Sequence, residues 1–536
     1  MRYVLLLLIS FSLNGCAYYF GNRWQNSFKK IETTDYPRFD KCAEPISSEA
    51  LNTHPIVLHF AEKEIIRPTK KDQRGPERLL LAKLAAGTDV TFVNNYLLES
   101  VPWGNSGTSG SLNPKGDYDF TTVILAAILF KFQDDTTLLW PKTAQHIAQT
   151  LLIEEGGKPH TKTPRTMRIM KDTENHILMT NISQYLKNQW LTEHGNKDET
   201  FDNKLNGLEE FLLENLEELQ LTGQYEFNSK PYEGYTLSAL LILQSYCTSP
   251  ILKEKATETL NQMCWEYMQT SSDFRKSSPF RRRMSRNTNT SLTDNASSSM
   301  MKAWYLEHTQ GVFEVNDIPH NHHQALSALV YDYRPPTEIW KENEEERLIL
   351  IGHGRGSSPE IYSRGGGFIL CAGGFQRGEI SQIVARPMVL MLDDGAQDMK
   401  DCFHIKGKHD YTKWNNTGVH HRLAVGSSPV HIPSAYQAID SLGNWRVYAP
   451  SEEVMVITYS EADFGIIYLP EEESKTSLSK LSELNPNPMS GIFRKSEDSE
   501  IQFNLNARKG NWVMESVDGQ ELSIKTDWWP RVRIKN

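Results

Sequence analysis

Three short polar and aromatic stretches hold the residue types that could perform chemistry, and each runs directly into an apolar segment. The first is Gly116-Asp117-Tyr118-Asp119-Phe120, ahead of an apolar run over residues 121–132. The second is Thr173-Glu174-Asn175-His176, ahead of Ile177. The third, residues 225–235, contains Tyr225, Glu226, Phe227, Asn228, Tyr232, Gly234 and Tyr235. Carboxylates, amides and phenols hydrogen-bond sugar hydroxyls, and aromatic rings stack on pyranose faces. A histidine changes charge near neutral pH and can carry a proton there. The candidate catalytic residues are therefore Asn175, His176, Tyr232, Tyr235 and Glu226. The candidate substrate ligands are Trp103, Asp117, Tyr118, Asp119, Glu174 and Asn228. Arg281 and Arg282, in the basic run Phe280-Arg281-Arg282-Arg283, join them because a guanidinium grips a carboxylate with two parallel bonds. The same residues have structural alternatives. Asp117, Asp119, Thr173 and Asn228 suit helix caps. His176 suits a hydrogen-bonded interior position, and Pro231 and Gly234 suit a loop.

The elements that must position these residues follow from the hydrophobic rhythm. Leu178, Ile182, Tyr185 and Leu186 recur with helical spacing, as do Leu237, Leu240 and Leu241. Residues 121–132 are apolar almost all round, which predicts a helix buried on several sides. From about Arg347 onward the rhythm changes to short runs such as 347–351, 367–372, 388–392, 454–459 and 465–469, separated by Gly, Asp and Ser. The expected fold class is α+β: an N-terminal α/α toroid-like helical domain over 53–340, then a C-terminal antiparallel β-sandwich over 341–536. In such a ring the three polar stretches would share one rim. The Ser/Thr/Asn-rich residues 284–300 predict a surface loop. The acidic run 342–346 predicts a solvated linker.

The start of the chain predicts export. Arg2 precedes a mostly apolar run over residues 4–13, then Asn14, Gly15 and Cys16. This order is that of a signal peptide, and the run is shorter than the about 20 residues that span a bilayer. Residues 13–16 resemble the lipobox of bacterial lipoproteins. That likeness implies a signal peptide over 1–15, a lipid on Cys16, and a lipidated tether over 16–52. Membrane attachment through Cys16 follows, at the outer membrane in a diderm cell. The remainder has the composition of a water-facing chain, with 39% hydrophobic and 23% charged residues. Its net charge of −10 does not favour nucleic acid as a partner.

Five cysteines besides Cys16 form no CxxC unit. Buried free thiols are expected, with a disulfide between Cys247 and Cys264 as the alternative. His320, His322 and His323 lie on a short stretch without a carboxylate, and His404, His409, Asp410, His420 and His421 are scattered. Neither group is diagnostic of a metal, so no metal or other cofactor is expected.

The succession of signal, helical region and β region resembles the toroid-plus-sandwich polysaccharide lyases, the heparinase and alginate-lyase group. Residues 116–120, 173–186, 225–243 and 279–283 are more specifically similar to exported bacterial proteins of unassigned activity. The resemblance implies β-elimination on an acidic polysaccharide. An Asn or His would sit by the uronate carboxylate and a Tyr or His would move the proton, for which Asn175, His176, Tyr232 and Tyr235 have suitable types. Two alternatives stand beside it. A glycoside hydrolase needs two carboxylates, for which Asp117, Asp119, Glu174 and Glu226 qualify. A non-catalytic glycan-binding lipoprotein needs platforms such as Trp103, Tyr118 and Tyr232 but no acid–base pair.

Overall fold

The computed structural model describes residues 37, 39, 42–66, 76–102, 118–152, 159–161, 172–224, 226–230, 232–281, 289–311, 314–318, 322–341, 345–351, 360–372, 384–407, 417–471, 477–506, 513–522 and 532–535. The fold is mixed, with helices in the N-terminal part and antiparallel sheets in the C-terminal part. The helices are α1 (Ser48–Asn52), α2 (Pro55–Ala61), α3 (Glu77–Ala85), α4 (Val90–Glu99), α5 (Asp119–Phe132), α6 (Pro141–His146), α7 (Glu174–Glu193), α8 (Leu208–Thr222), α9 (Tyr232–Tyr246), α10 (Pro250–Gln269), α11 (Ala296–His308) and α12 (His322–Val330).

Apolar coverage explains their arrangement. In α5 nine residues from Thr122 to Phe132 are buried, and α9 is buried from Thr236 through Leu243. A helix without a polar face needs neighbours on several sides. Accordingly α3, α5, α7 and α9 touch in succession, and α12 touches both α9 and α3. The more polar α4 packs against α6, and α8 packs against α10, outside this succession. Gly234 is part of α9 and not loop punctuation. A Cβ there would come within 2.3 Å of Ala296 Cβ and 2.9 Å of the Gln324 side chain, so only glycine permits this approach to α11 and α12. The chain is packed before the expected end of the tether, because Leu51 in α1 is buried and Cys42 Sγ lies 3.8 Å from Asn261 Oδ1.

Helix gives way to strand between Trp340 and Arg347. Two six-stranded antiparallel sheets follow. The first runs Val532–Lys535, Arg347–Ile351, Glu360–Gly365, Phe368–Ala372, Met388–Leu392, Phe403–Ile405 in spatial order. The second runs Asp440–Leu442, Trp445–Tyr448, Val456–Glu461, Phe464–Tyr468, Leu423–Gly426, Thr417–His420. Leu348, Leu350, Ile361, Leu370 and Leu390 of the first share an apolar cluster with Val419, Val425, Val456 and Ile466 of the second.

The alternate residues of the first sheet face the helices. Ile349 pairs with Tyr362, Tyr362 with Cys371, and Cys371 with Val389. This row packs against Phe227, Phe280 and Leu292 from the helical part. Both faces of the sheet are thus covered, which is why its strands read as unbroken apolar runs rather than as alternation. Phe280–Arg281 also pairs with Val384–Ala385, tying the two parts together.

The expected surface loop over 284–300 is corrected in its second half. Leu292, Asp294 and Asn295 are buried, and Ser297, Ser298 and Ser299 lie buried in the first turn of α11. Serine suits this place because its neighbours are polar. Ser297 Oγ donates to Glu233 Oε2 at 2.6 Å, and Tyr267 Oη donates to Ser298 Oγ at 2.8 Å. Composition alone does not distinguish a solvated serine from one that satisfies a buried partner. Cys42, Cys247, Cys264, Cys371 and Cys402 are free thiols. Burial pushes Cys247 and Cys264 up to about 12, so neither is a ready nucleophile at neutral pH.

Candidate active site

Four helix starts meet where α3, α5, α7 and α9 adjoin. Asp119 is the first residue of α5, His176 lies in the first turn of α7, and Tyr232 and Tyr235 lie in the first turn of α9. Glu77 and Arg78 open α3. His176 Nδ1 lies 2.8 Å from Asp119 Oδ2, and the two side chains are 14% and 10% exposed. A carboxylate at Nδ1 accepts the ring proton there, which leaves the lone pair of neutral imidazole at Nε2. Asp119 also gains from its place in a helix first turn, where unpaired N–H groups favour negative charge.

Aromatic rings continue from this pair. The Phe120 ring meets His176 edge-on at 5.3 Å and lies 4.6 Å from Tyr235. Tyr235 meets Tyr232 edge-on at 6.3 Å. The Arg78 guanidinium stands 5.2 Å over the Tyr235 ring. The arrangement therefore places a proton carrier, its orienting carboxylate, two phenols and a cation along one contiguous row.

Asn175 is fully buried beside His176. Its Oδ1 accepts from Thr173 Oγ1 at 2.6 Å, while its Nδ2 has no acceptor among the described residues. A buried amide donor left open is costly unless something fills the role. Glu77 is half-buried at the start of α3. Burial pushes its carboxyl up to about 7, against the downward pull of its own backbone N–H, the Arg78 charge and a hydrogen bond with Thr121.

The remaining candidates fall elsewhere. Glu174 Oε1 accepts the Glu226 backbone N–H at 2.7 Å, so Glu174 clamps the start of α7 to the stretch before α9. Glu226 is fully buried and Tyr118 is buried. Asn228 donates from Nδ2 to the carbonyls of Ser277, at 2.5 Å, and Pro279, at 2.9 Å, and its Oδ1 accepts from Asn295. With φ at 53° it sits in the left-handed region that asparagine tolerates, and it serves the junction between helices and sheet rather than a ligand. Arg281 is likewise fully buried in that junction, beside Ser229 and paired with Val384. Trp103, Asp117, Arg282 and Cys16 lie outside the described residues, as does Tyr225.

Arg78, Glu77 and Phe120 were not among the candidates. A signal for the first two was present: Pro76-Glu77-Arg78 precedes Leu79-Leu80-Leu81, a fourth polar lead-in to an apolar helix.

No group of three or more histidine, cysteine, aspartate or glutamate side chains able to hold a metal occurs among the described residues. His320, His409 and Asp410 lie outside them, and nothing is described of the His322 side chain. His421 pairs with Glu346 at 3.3 Å, and Arg422 joins the same carboxylate at 2.6 Å, so the end of the acidic run is pinned to the second sheet. His404 is buried, stacks on His431 with ring centroids 4.4 Å apart, and has Nδ1 3.1 Å from Cys402 O. Burial holds it down to about 4 from 6.5. A base held neutral in the folded state stabilises the fold fully above its unfolded value and loses that contribution as pH falls through its folded value. Stability is therefore expected to fall between pH 6.5 and about 4, by on the order of 3 kcal/mol from this residue. Denaturant titrations across that window check it: His404→Phe should flatten the profile relative to wild type, and an equally steep profile would assign the loss to other groups.

No protein family and no curated protein matches this chain.

Proposed function

We propose that the protein is an exported lipoprotein that cleaves an acidic polysaccharide by β-elimination, on a helical toroid backed by a β-sandwich. The observation that carries this reading is the Asp119–His176 pair at 2.8 Å, beside the buried open amide of Asn175. Elimination from a uronate needs the carboxylate charge offset, a base for the adjacent C–H, and an acid for the leaving oxygen. Asn175 Nδ2 donates to the substrate carboxylate as negative charge grows on it. His176 Nε2 takes the C5 proton, and the resulting imidazolium is stabilised by Asp119. The C4–O bond breaks, a C4–C5 double bond forms, and Tyr232 or Tyr235 supplies a proton to the departing oxygen. Phe120 and the tyrosines offer faces for the sugar rings.

The toroid reading is supported by the succession α3, α5, α7, α9 and α12, and the sandwich by the apolar cluster that the two sheets share. A second reading, a glycoside hydrolase, draws support from Glu77, whose raised carboxyl suits a general acid, with Asp119 as the second carboxylate that such a reaction needs. Product analysis separates the readings. Incubation with uronate polysaccharides should give fragments whose non-reducing end absorbs in the ultraviolet as an unsaturated uronide. Saturated ends would favour hydrolysis, and intact polymer across the panel would sink both.

Export rests on the charged, apolar and small-residue order before Cys16. Metabolic labelling with a fatty acid is expected to mark the wild type and to fail with Cys16→Ser. Label retained by the variant would overturn the anchor.

A further inference from the structure

We infer that Arg78 is the specificity residue of this site, binding the carboxylate of a sugar unit that stacks along the Tyr235–Tyr232 row. The inference rests on the polysaccharide reading above but is separable from the elimination step. Arg78 lies in the first turn of α3 with its guanidinium 5.2 Å over the Tyr235 ring. Its Nε is buried and has no hydrogen-bond partner, and among the described residues Arg78 forms no ion pair. Other arginines of the helical part and its junction are fully enclosed, whereas Arg78 is half-buried and can meet a ligand. Arg334 forks onto Glu307 and four carbonyls, Arg275 reaches the carbonyls of Leu392 and Ala396, and Arg281 is enclosed at the sheet.

A half-buried guanidinium with an open donor is expensive to maintain unless an anion completes it. Its neighbour Glu77 is a poor internal counter-ion, since its carboxyl is pushed up to about 7 and is partly protonated at neutral pH. The cation–π contact with Tyr235 holds the guanidinium in place, which lowers the entropy lost when it binds a carboxylate. The ring row then links recognition to chemistry, because Tyr235 touches Phe120 and Phe120 touches His176. A sugar chain lying on these rings would present one acidic unit at Arg78 and another at the Asn175–His176 pair.

Binding tests this without requiring turnover. Calorimetric titrations would use oligogalacturonate, oligomannuronate and glucuronate-containing oligosaccharides, each beside its carboxyl-reduced form. Wild type is expected to bind at least one acidic chain about 10- to 100-fold more tightly than its reduced form. Arg78→Met, which keeps the stem over Tyr235, should lower that ratio by about 5- to 10-fold, and Arg78→Lys should restore part of it. Arg78→Gln serves as the second variant if methionine lowers the melting temperature of the free protein. His176→Ala should keep the ratio. The inference is overturned if the Arg78 variants retain the ratio, if no acidic chain is preferred, or if sulfated chains lacking carboxylates are bound as tightly. An Arg78-dependent preference without unsaturated product from wild type would remove the elimination reading and leave Arg78 in place. Unsaturated product with an Arg78-independent preference would do the reverse.

Discussion

Replacing His176 with alanine is expected to lower turnover on an acidic polysaccharide by roughly 10²- to 10⁴-fold, the usual contribution of a positioned proton carrier. The melting temperature should change little. His176 is half-buried at the start of α7, with Asp119 and the Phe120 ring edge among its neighbours, so its loss opens a gap near the surface rather than a core cavity. Asp119→Asn should also be slow, for a different reason. An asparagine can turn its amide N–H toward Nδ1, which moves the ring proton to Nε2 and removes the lone pair from the nitrogen that faces the substrate. The two variants therefore separate catalysis from architecture. A His176→Ala protein that melts early yet keeps its turnover per folded molecule would assign the residue to structure and remove the base from the proposed mechanism. Unchanged turnover in Asp119→Asn would show that the pair does not set the tautomer.

Arg386→Met is expected to cost about 3–5 kcal/mol of stability, because it leaves a carboxylate buried without its cation. Arg386 Nε donates to Glu360 Oε1 at 2.8 Å, and the two side chains are 3% and 2% exposed. Glu360 begins the strand Glu360–Gly365, two residues before Tyr362, whose hydroxyl donates to Ser278 O at 2.9 Å. The damage would thus fall on the sheet face that carries the helical part. Removing both charges together, as Arg386→Met with Glu360→Gln, should recover much of the loss, since an uncharged pair carries a smaller desolvation cost. Urea denaturation of the three proteins measures this. A double variant no more stable than Arg386→Met would show that the cost comes from packing and not from the stranded charge.

How much of this was legible beforehand can be traced residue by residue. The helices around Ile182 and Leu240 and the strands around Ile349 and Val389 follow from apolar spacing, because each element must hide its apolar side whatever it packs against. The polar lead-ins to α5, α7 and α9 were equally visible, and the fold brings Asp119, Phe120, His176, Tyr235 and Tyr232 into one row from three separate places in the chain. Residues 226–230 show where local reading ends. Glu226, Asn228 and Ser229 have the types of sugar ligands, but Phe227 beside them packs against Ile349 and Tyr362, more than 100 positions away, and takes its neighbours into the interior.

The sequence by itself determined the two kinds of secondary structure, where one gives way to the other, and which helices would begin with chemically capable residues. Those properties depend on neighbours within a few positions, so spacing and capping types are enough to set them. Tertiary structure alone decided which polar lead-in was covered by a sheet and which stayed half-buried among other helix starts. It decided that Asp119 would hold the His176 ring at Nδ1, and that Arg78 would stay half-buried where Arg281 is fully enclosed. The physical reason is that burial belongs to the partner surface: the face of the first sheet that meets the helices encloses Arg281 and Asn228, whereas the starts of α3 and α5 meet other helix starts and leave Arg78 and Asp119 half-buried with polar groups to offer.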